Sequence, residues 1–501
     1  MKNKWLLLIT IVLAVFLRLY HLNSNPPSLS WDEAAVGWNA NTIFHTRRDE
    51  YGTRLPLTFK SFGDYKAPVY IYLTAPIVGL FGMNPVSVRL VSVLAGIASV
   101  YLLYLLGLEL KNKQLGIIAA ALLAITPWHV ILSRPAFEPN LALFFILSGT
   151  YLFLKAIKKP IYFTLCAFSF TLSLYTYHSP KIFVPIFLLG LGFIFRQQLL
   201  SNKLRKWLLI SVFLGLIALS PLIKETLFSN SAARFQGTSV FYDAKGVIQP
   251  LKFSIIMRML TNYFIHFSPV YLFSGSSIMP RLQLKAVGPL LLIEAPFLLL
   301  GLVHLLKNKR KTWAKFLLWW LIAGPVPAMI GKEAPHPLRA YNLLPPLIII
   351  TALGIHFLIR SYQKVSSIII ILLAINAAFF INHYFFIYPI YSAPDWQYGY
   401  QQTALTARQY EDQVDKIIFT SHYGQPYIFT YFYQNREPLS VFWGAMSKYL
   451  FRDIKWDEDK KLTNNLIIGS PEEIPADTPG IMKEILFPDG RTAFRIVNTS
   501  L

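Results

Sequence analysis

Apolar stretches near the length of a membrane crossing recur down this chain, joined by short loops, and no other feature constrains the fold as much. A helix needs about 20 apolar residues to cross a bilayer core. In lipid only helices and closed barrels leave no backbone group unsatisfied. Of 501 residues, 54% are hydrophobic and 14% charged, whereas a soluble domain carries about a quarter charged residues. The pattern predicts a polytopic α-helical membrane protein. The net charge of +22 does not point to nucleic acid, because no basic soluble domain and no RNA- or DNA-binding motif accompanies it. Basic residues in such a chain fix topology from the cytoplasmic side and meet anionic membrane lipids. The one cysteine, Cys166, lies in an apolar run, so an internal disulfide is excluded.

Trp5 to Leu22 follows Lys2 and Lys4 without a small-x-small cleavage site and reads as an uncleaved signal anchor. Arg18, near its outer end, is expected to snorkel to the headgroups. With the lysines inside, residues 23–67 fall outside. Pro68 to Met83 is short and holds Pro76, Gly79 and Gly82. A crossing there would put Lys111 and Lys113 on the wrong face, so it is expected to lie along the outer surface. Further spans follow at 86–108, 115–132, 141–157, 161–177, 182–195, 207–223, 288–306, 313–330, 341–359 and 366–387, about eleven in all, with the N-terminus in and the C-terminus out. The inner loops are short and basic, with Lys155, Lys158 and Lys159, then Arg196 to Lys206, Lys307 to Lys311, and Arg360 with Lys364. After Pro394 the chain changes character, with strand patterns at Val414–Thr420 and Asn465–Gly469 among polar turns. The expectation is a membrane domain over 1–390 and a small soluble α/β domain over 391–501, outside the plasma membrane.

This topology draws polar residues to the outer face. Asp32 and Glu33 stand in the first outer loop, Asp64-Tyr65-Lys66 before the surface helix, Arg134 and Glu138 in the second loop, and His336 and Arg339 near the last spans, with His178 and Lys181 a fifth group. Each has a plainer reading. Asp32 would cap a helix starting near Glu33, and Glu138 would cap the next span. Lys66 and Arg134 would anchor headgroups, His336 would be a loop residue, and Tyr175 and Tyr177 would belong to an interfacial aromatic belt. Together, carboxylates and cations on one membrane face suit a site that binds a lipid phosphate and activates a hydroxyl. A sugar on a polyprenyl phosphate leaves with a stable phosphate. Such a site needs Arg or Lys to neutralise the phosphate and a carboxylate to take the acceptor's proton.

Trp31-Asp32-Glu33-Ala34 resembles the Asp-Glu motif of the GT-C glycosyltransferases, the group of the family 39 protein O-mannosyltransferases and the lipid A aminoarabinose transferases. Asp64-Tyr65-Lys66-Ala67-Pro68 is similar to the step that opens that group's surface helix, Ser133-Arg134 through Glu138 to its second outer loop, and Pro335 to Tyr341 to its His-x-x-Arg segment. Tyr65 stands where the aminoarabinose transferases carry an acid, a departure from that subgroup. The resemblance, which covers roughly residues 1–390 in organisation, implies a GT-C-like fold and inverting transfer of a sugar from a polyprenyl-phosphate donor to a protein, lipid or polysaccharide acceptor. In this reading Asp32 is the base, with Glu33 and Glu138 beside it. Lys66, Arg134, His336 and Arg339 hold the donor phosphate. Asp64, Tyr65, His178 and Lys181 are further site residues. No cofactor, nucleotide sugar or obligatory metal is implied, although Asp32, Glu33 and Glu138 are the oxygen ligands a metal-dependent variant would use. A transporter or flippase would instead carry charges at mid-membrane on broken, repeated spans, and the charges here lie in outer loops. A non-catalytic scaffold gives no reason to gather carboxylates on one face.

Overall fold

The computed structural model describes residues 2–228, 233–243, 245–275, 278–362 and 365–500. Lys364, one of the inner-loop cations, and parts of the long loop 224–287 lie outside these residues. The chain packs as two compact units. The larger comprises Met1–Tyr20, Leu57–Val69 and Ser92–Asn382, the smaller His21–Pro56, Tyr70–Val91 and His383–Leu501.

Every segment expected to span falls on a helix. Among the described residues, five helices are long and apolar enough to cross a membrane: Pro85–Leu110, Glu138–Lys158, Asn202–Thr226, Tyr341–Ser361 and Val365–Tyr391. Shorter helices cover the others, including Lys2–Leu19, Tyr162–Leu174, Ser179–Ile194 and Glu294–Lys307. The segment 115–132 is not continuous: Lys113–Ile125 ends at Thr126, and Pro127 opens a new helix, Pro127–Leu132. Proline has no N–H to continue the first ladder but suits a first helical turn. The segment 313–330 breaks in the same way after Ala323, at Gly324-Pro325. The surface segment forms a 14-residue helix, Pro68–Phe81, about 21 Å long at the usual rise and short of a bilayer core.

In the larger unit, Glu294–Lys307 and the helix Leu344–Ser361 approach until their backbones touch. A Cβ on Gly301 would lie 1.8 Å from the Ile350 carbonyl oxygen, and one on Gly354 would lie 2.0 Å from that of Phe297. Only glycine allows this, which is how membrane helices gain contact where burial from lipid gives little driving force. Arg18 does not snorkel. It is fully buried, and its guanidinium donates to the carbonyls of Ala14, at 3.1 Å, and Ala124, at 3.2 Å, and lies 2.5 Å from His129 Nδ1. The last carbonyls of a helix have no partner within it, and Arg18 meets one such group at the end of Lys113–Ile125 instead of reaching for water. Residues 64–66 are not a plain loop: β1 (Phe59–Ser61) and β2 (Asp64–Lys66) form an antiparallel hairpin around Phe62-Gly63. Both turn residues have positive φ, 52° and 78°, as a two-residue turn between twisted strands requires.

The smaller unit carries a five-stranded sheet built from β3 (Lys416–Phe419), β4 (Tyr449–Phe451), β5 (Asn465–Gly469), β6 (Ile481–Leu486) and β7 (Thr492–Asn498). The strand order is β4-β3-β5-β7-β6. β4, β3 and β5 run parallel, and β7 and β6 close the sheet antiparallel. The two expected strands are β3 and β5; β4, β6 and β7 are additional. Buried Ile418, Ile454, Ile467, Ile474 and Val497 form a core on the sheet.

Candidate active site

Ser30 opens the helix Trp31–Thr46. Its side chain accepts from the Glu33 N–H, and Glu33 reaches back to the Ser30 N–H at 3.0 Å, a reciprocal cap that satisfies two donors with no helical partner. The cap is therefore Ser30, and Asp32, expected as the cap, sits inside the first turn. Glu33 is fully buried and also faces Arg89, whose Nε lies 2.9 Å from Oε1 and whose second nitrogen lies 3.3 Å from Oε2. Arg89 is equally buried and donates to the carbonyls of Leu22, Pro26 and Ser28 as well. Both Glu33 carboxylate oxygens are thus engaged and its charge is matched. Asp32, one residue earlier and about 100° round the helix, is half-buried. The adjacent acids thus differ in surroundings, Glu33 fully buried on Arg89 and Asp32 half-buried.

The C-terminal helix Pro426–Tyr433 packs against this helix within the same unit. The Trp31 N–H donates to Gln397 Oε1 at 2.8 Å, and Gln397 Nε2 donates to the Tyr423 carbonyl at 3.0 Å. The Trp31 ring lies against Gly424, where a Cβ would stand 2.1 Å from the indole; Gly424 has φ +116°. Only glycine satisfies both demands. Farther along the helix, Trp38 packs on Tyr431, with ring centroids 5.2 Å apart.

In the larger unit, β2 brings Asp64, Tyr65 and Lys66 together, and the Tyr65 carbonyl lies 3.3 Å from His178 Nε2. His178, Lys181 and Arg339 line one cavity of about 260 Å³, with Tyr177, Phe235 and Ile330 among its apolar walls. The helix Ser179–Ile194 begins early enough to hold Lys181 in its first turn. His336 is buried beside this segment: its backbone N–H donates to His266 Nε2 at 2.9 Å, and its Nδ1 accepts from the Arg339 N–H at 3.4 Å. The His266 Nδ1 lies 2.6 Å from the Asn262 carbonyl, so that ring carries its proton on Nδ1 and accepts on Nε2. Lys66 is buried rather than displayed to headgroups. Glu138 is the half-buried first residue of Glu138–Lys158.

Arg134 departs from the phosphate-binding expectation. It is fully buried, and its two terminal nitrogens donate at 2.7 Å each to the carbonyls of Leu17 and Tyr20, at the end of Lys2–Leu19. Its geometry is that of a helix cap. Two residues escaped the sequence reading. Arg89 carried a signal, since a lone arginine in an apolar span needs a buried partner. Gln397 carried none. Among the described residues, no group of three or more His, Cys, Asp or Glu side chains is placed to hold a metal ion.

Comparison with known proteins first defines the class. ArnT from Cupriavidus metallidurans in the apo state matches with a TM-score of 0.59 at 12% identity, covering 100% of this chain and 98% of that one. The same protein bound to undecaprenyl phosphate gives 0.57 at 12% identity, with 99% and 98% covered. What is shared at that identity is the fold, a GT-C membrane fold with a sheet-bearing C-terminal domain. Residues 65–224 match the family model described as "Dolichyl-phosphate-mannose-protein mannosyltransferase". The Bacillus subtilis (strain 168) protein named "Putative mannosyltransferase YycA" is 26% identical over 235 residues, 46% of this chain and 34% of that protein. That match thus spans about a third of the relative's length. The chain is thus an integral, multi-pass membrane protein with a GT-C fold, and about a third of it is similar to the protein-mannosyltransferase family.

Proposed function

We propose that this protein is an inverting glycosyltransferase. It moves a sugar from a polyprenyl-phosphate donor to an acceptor hydroxyl on the extracytoplasmic side of the plasma membrane, the side on which residues 391–501 lie. The observation that carries the reading is the contrast in burial at Asp32-Glu33, where Glu33 is sealed against Arg89 and Asp32 keeps part of its surface exposed. A site that needed only a structural acid would not keep a second, half-buried carboxylate at the start of the same helix. The family match over residues 65–224 and the undecaprenyl phosphate bound by ArnT support a lipid-phosphate donor.

Asp32 takes the proton from the acceptor hydroxyl as its oxygen bonds to the anomeric carbon. The bond from that carbon to the phosphate oxygen breaks, and its electron pair leaves with the polyprenyl phosphate. Arg339, Lys181 and His178, which share a cavity, neutralise that phosphate, with Lys66 and His336 as further candidates. Glu138 orients the acceptor. Glu33 and Arg134, both engaged within the protein, take no part in the chemistry.

The test is Asp32→Asn, which keeps size but cannot accept a proton. Turnover of an undecaprenyl-phosphate sugar should fall at least roughly a hundredfold, the usual contribution of a general base. Binding of undecaprenyl phosphate should stay as in the wild type. Near-normal turnover in Asp32→Asn, with Glu138→Gln inactive, would move the base to Glu138.

A further inference from the structure

The parallel part of the outer sheet has the strand order β4-β3-β5. From β3 the chain crosses to β4 on one side, then returns past β3 to β5 on the other. Connections that leave in opposite directions open a crevice at the carboxyl ends of the strands, where open α/β sheets bind their ligands. In this sheet the crevice is built and polar. Glu473 ties its floor, accepting from Thr420 Oγ1, the Ile454 N–H and the Ser470 N–H, each at 2.8 Å. These groups come from the loops after β3, β4 and β5 in turn. On the rim, Ser421 Oγ donates to Asp453 at 2.5 Å, and His422 Nε2 lies 3.8 Å from Glu472, both side chains well exposed. His422 and Tyr423 present ring surfaces with centroids 4.8 Å apart. Burial, and then the charges of Glu472 and Glu473, push the Tyr423 phenol up to about 12, so it stays a donor at neutral pH. Ser470, at the end of β5, is fully buried with its hydroxyl lacking a hydrogen-bond partner among the described residues.

Two features say what the crevice serves. The loop after β3 is the one that docks on Trp31 through Gln397 and Gly424, which sets the crevice beside the start of the helix bearing Asp32. Its own side chains are hydroxyl, imidazole, phenol and carboxylate, while the nearby arginines are already matched, Arg452 to Asp459 and Arg491 to Asp489. Ring faces with carboxylate and imidazole acceptors suit sugar hydroxyls, and the excess of acids repels phosphate-bearing polymers.

We propose that this crevice is the acceptor subsite and that the acceptor held there is a neutral, hydroxyl-rich glycan chain. The assignment rests on the glycosyltransfer reading above. The experiment uses the full-length protein in detergent, with neutral linear hexasaccharides (malto-, cello-, manno- and chito-), poly(glycerol phosphate) and undecaprenyl phosphate as probes. At least one hexasaccharide should bind. His422→Ala and Glu472→Gln, both at exposed positions, should each weaken it by about three- to tenfold, one hydrogen bond's worth. Both variants should bind undecaprenyl phosphate as the wild type does. If no hexasaccharide binds, or both variants bind it unchanged, the crevice is not the subsite. Binding of poly(glycerol phosphate) in place of the hexasaccharides overturns the neutral class. Failure of the wild type to bind undecaprenyl phosphate strikes the donor reading instead, whatever the hexasaccharides do.

Discussion

Both units bury arginine, but on different terms. In the smaller unit Arg89 faces Glu33, so charge meets charge. In the larger unit Arg18 and Arg134 meet carbonyl oxygens at helix ends, Arg18 with His129 beside it. A helix end supplies only a partial negative charge, about half an elementary unit. A third arginine, Arg339, is half-buried at a cavity wall with Lys181 and His178. Under the function proposed above, the first three arginines complete the fold and Arg339 meets a ligand. Different costs are then expected when each is disturbed.

The largest cost belongs to the carboxylate-paired arginine. Glu33→Gln leaves Arg89 buried without a counter-charge, which should lower stability by roughly 3–5 kcal/mol. Thermal unfolding in detergent measures it. Glu33→Met with Arg89→Met should recover most of the loss, because the buried charges then disappear together. Protein that does fold as Glu33→Gln should turn over close to the wild-type rate. Wild-type stability in the single variant would mean the pair does not hold the loop, and Glu33 would return as a candidate for the chemistry.

Much of the fold was legible because lipid imposes its own grammar. Apolar runs and the basic residues between them mark the spans with little reference to tertiary contacts, and β5 matches its expected segment residue for residue. The breaks at Pro127 and Pro325 were written in the sequence but hidden by reading hydropathy alone. The site was legible by residue type and less so by role. Glu33 and Arg134 carry the right chemistry for catalysis and phosphate binding, yet what decides their roles is whether a fixed partner reaches them, and Arg89 lies 56 positions from Glu33. The joining of the Trp31 helix to the C-terminal domain through Trp31, Gln397 and Gly424 could not be seen at all. It depends on a backbone N–H, an amide and a missing Cβ, none of which leaves a pattern.

A middle-sized effect is expected at Arg339. In this reading it meets the donor phosphate, so Arg339→Ala should weaken undecaprenyl phosphate binding. A lost charge-assisted contact is worth about 1.5–3 kcal/mol, or roughly ten- to a hundredfold in affinity. Unaltered affinity would remove Arg339 from the donor site and leave Lys181 and His178 as the cations to test. A drop in stability of the size expected for Glu33→Gln would place Arg339 with the arginines that complete the fold.

The smallest effect should come from Arg134→Met. The substitution gives up two hydrogen bonds, to the Leu17 and Tyr20 carbonyls, each worth about 0.5–1.5 kcal/mol net. Against that, it removes a buried guanidinium, and relief from that desolvation offsets part of the loss. The side chain of methionine fills much of the stem's volume, so no large cavity is left. The net change should be about 1 kcal/mol, well below the Glu33→Gln cost. Undecaprenyl phosphate affinity should not move, since neither terminal nitrogen is turned to a ligand. If Arg134→Met stays as stable as the wild type but loses about tenfold or more in that affinity, Arg134 has a lipid phosphate for a partner after all. The line between the two kinds of arginine would then have to be redrawn.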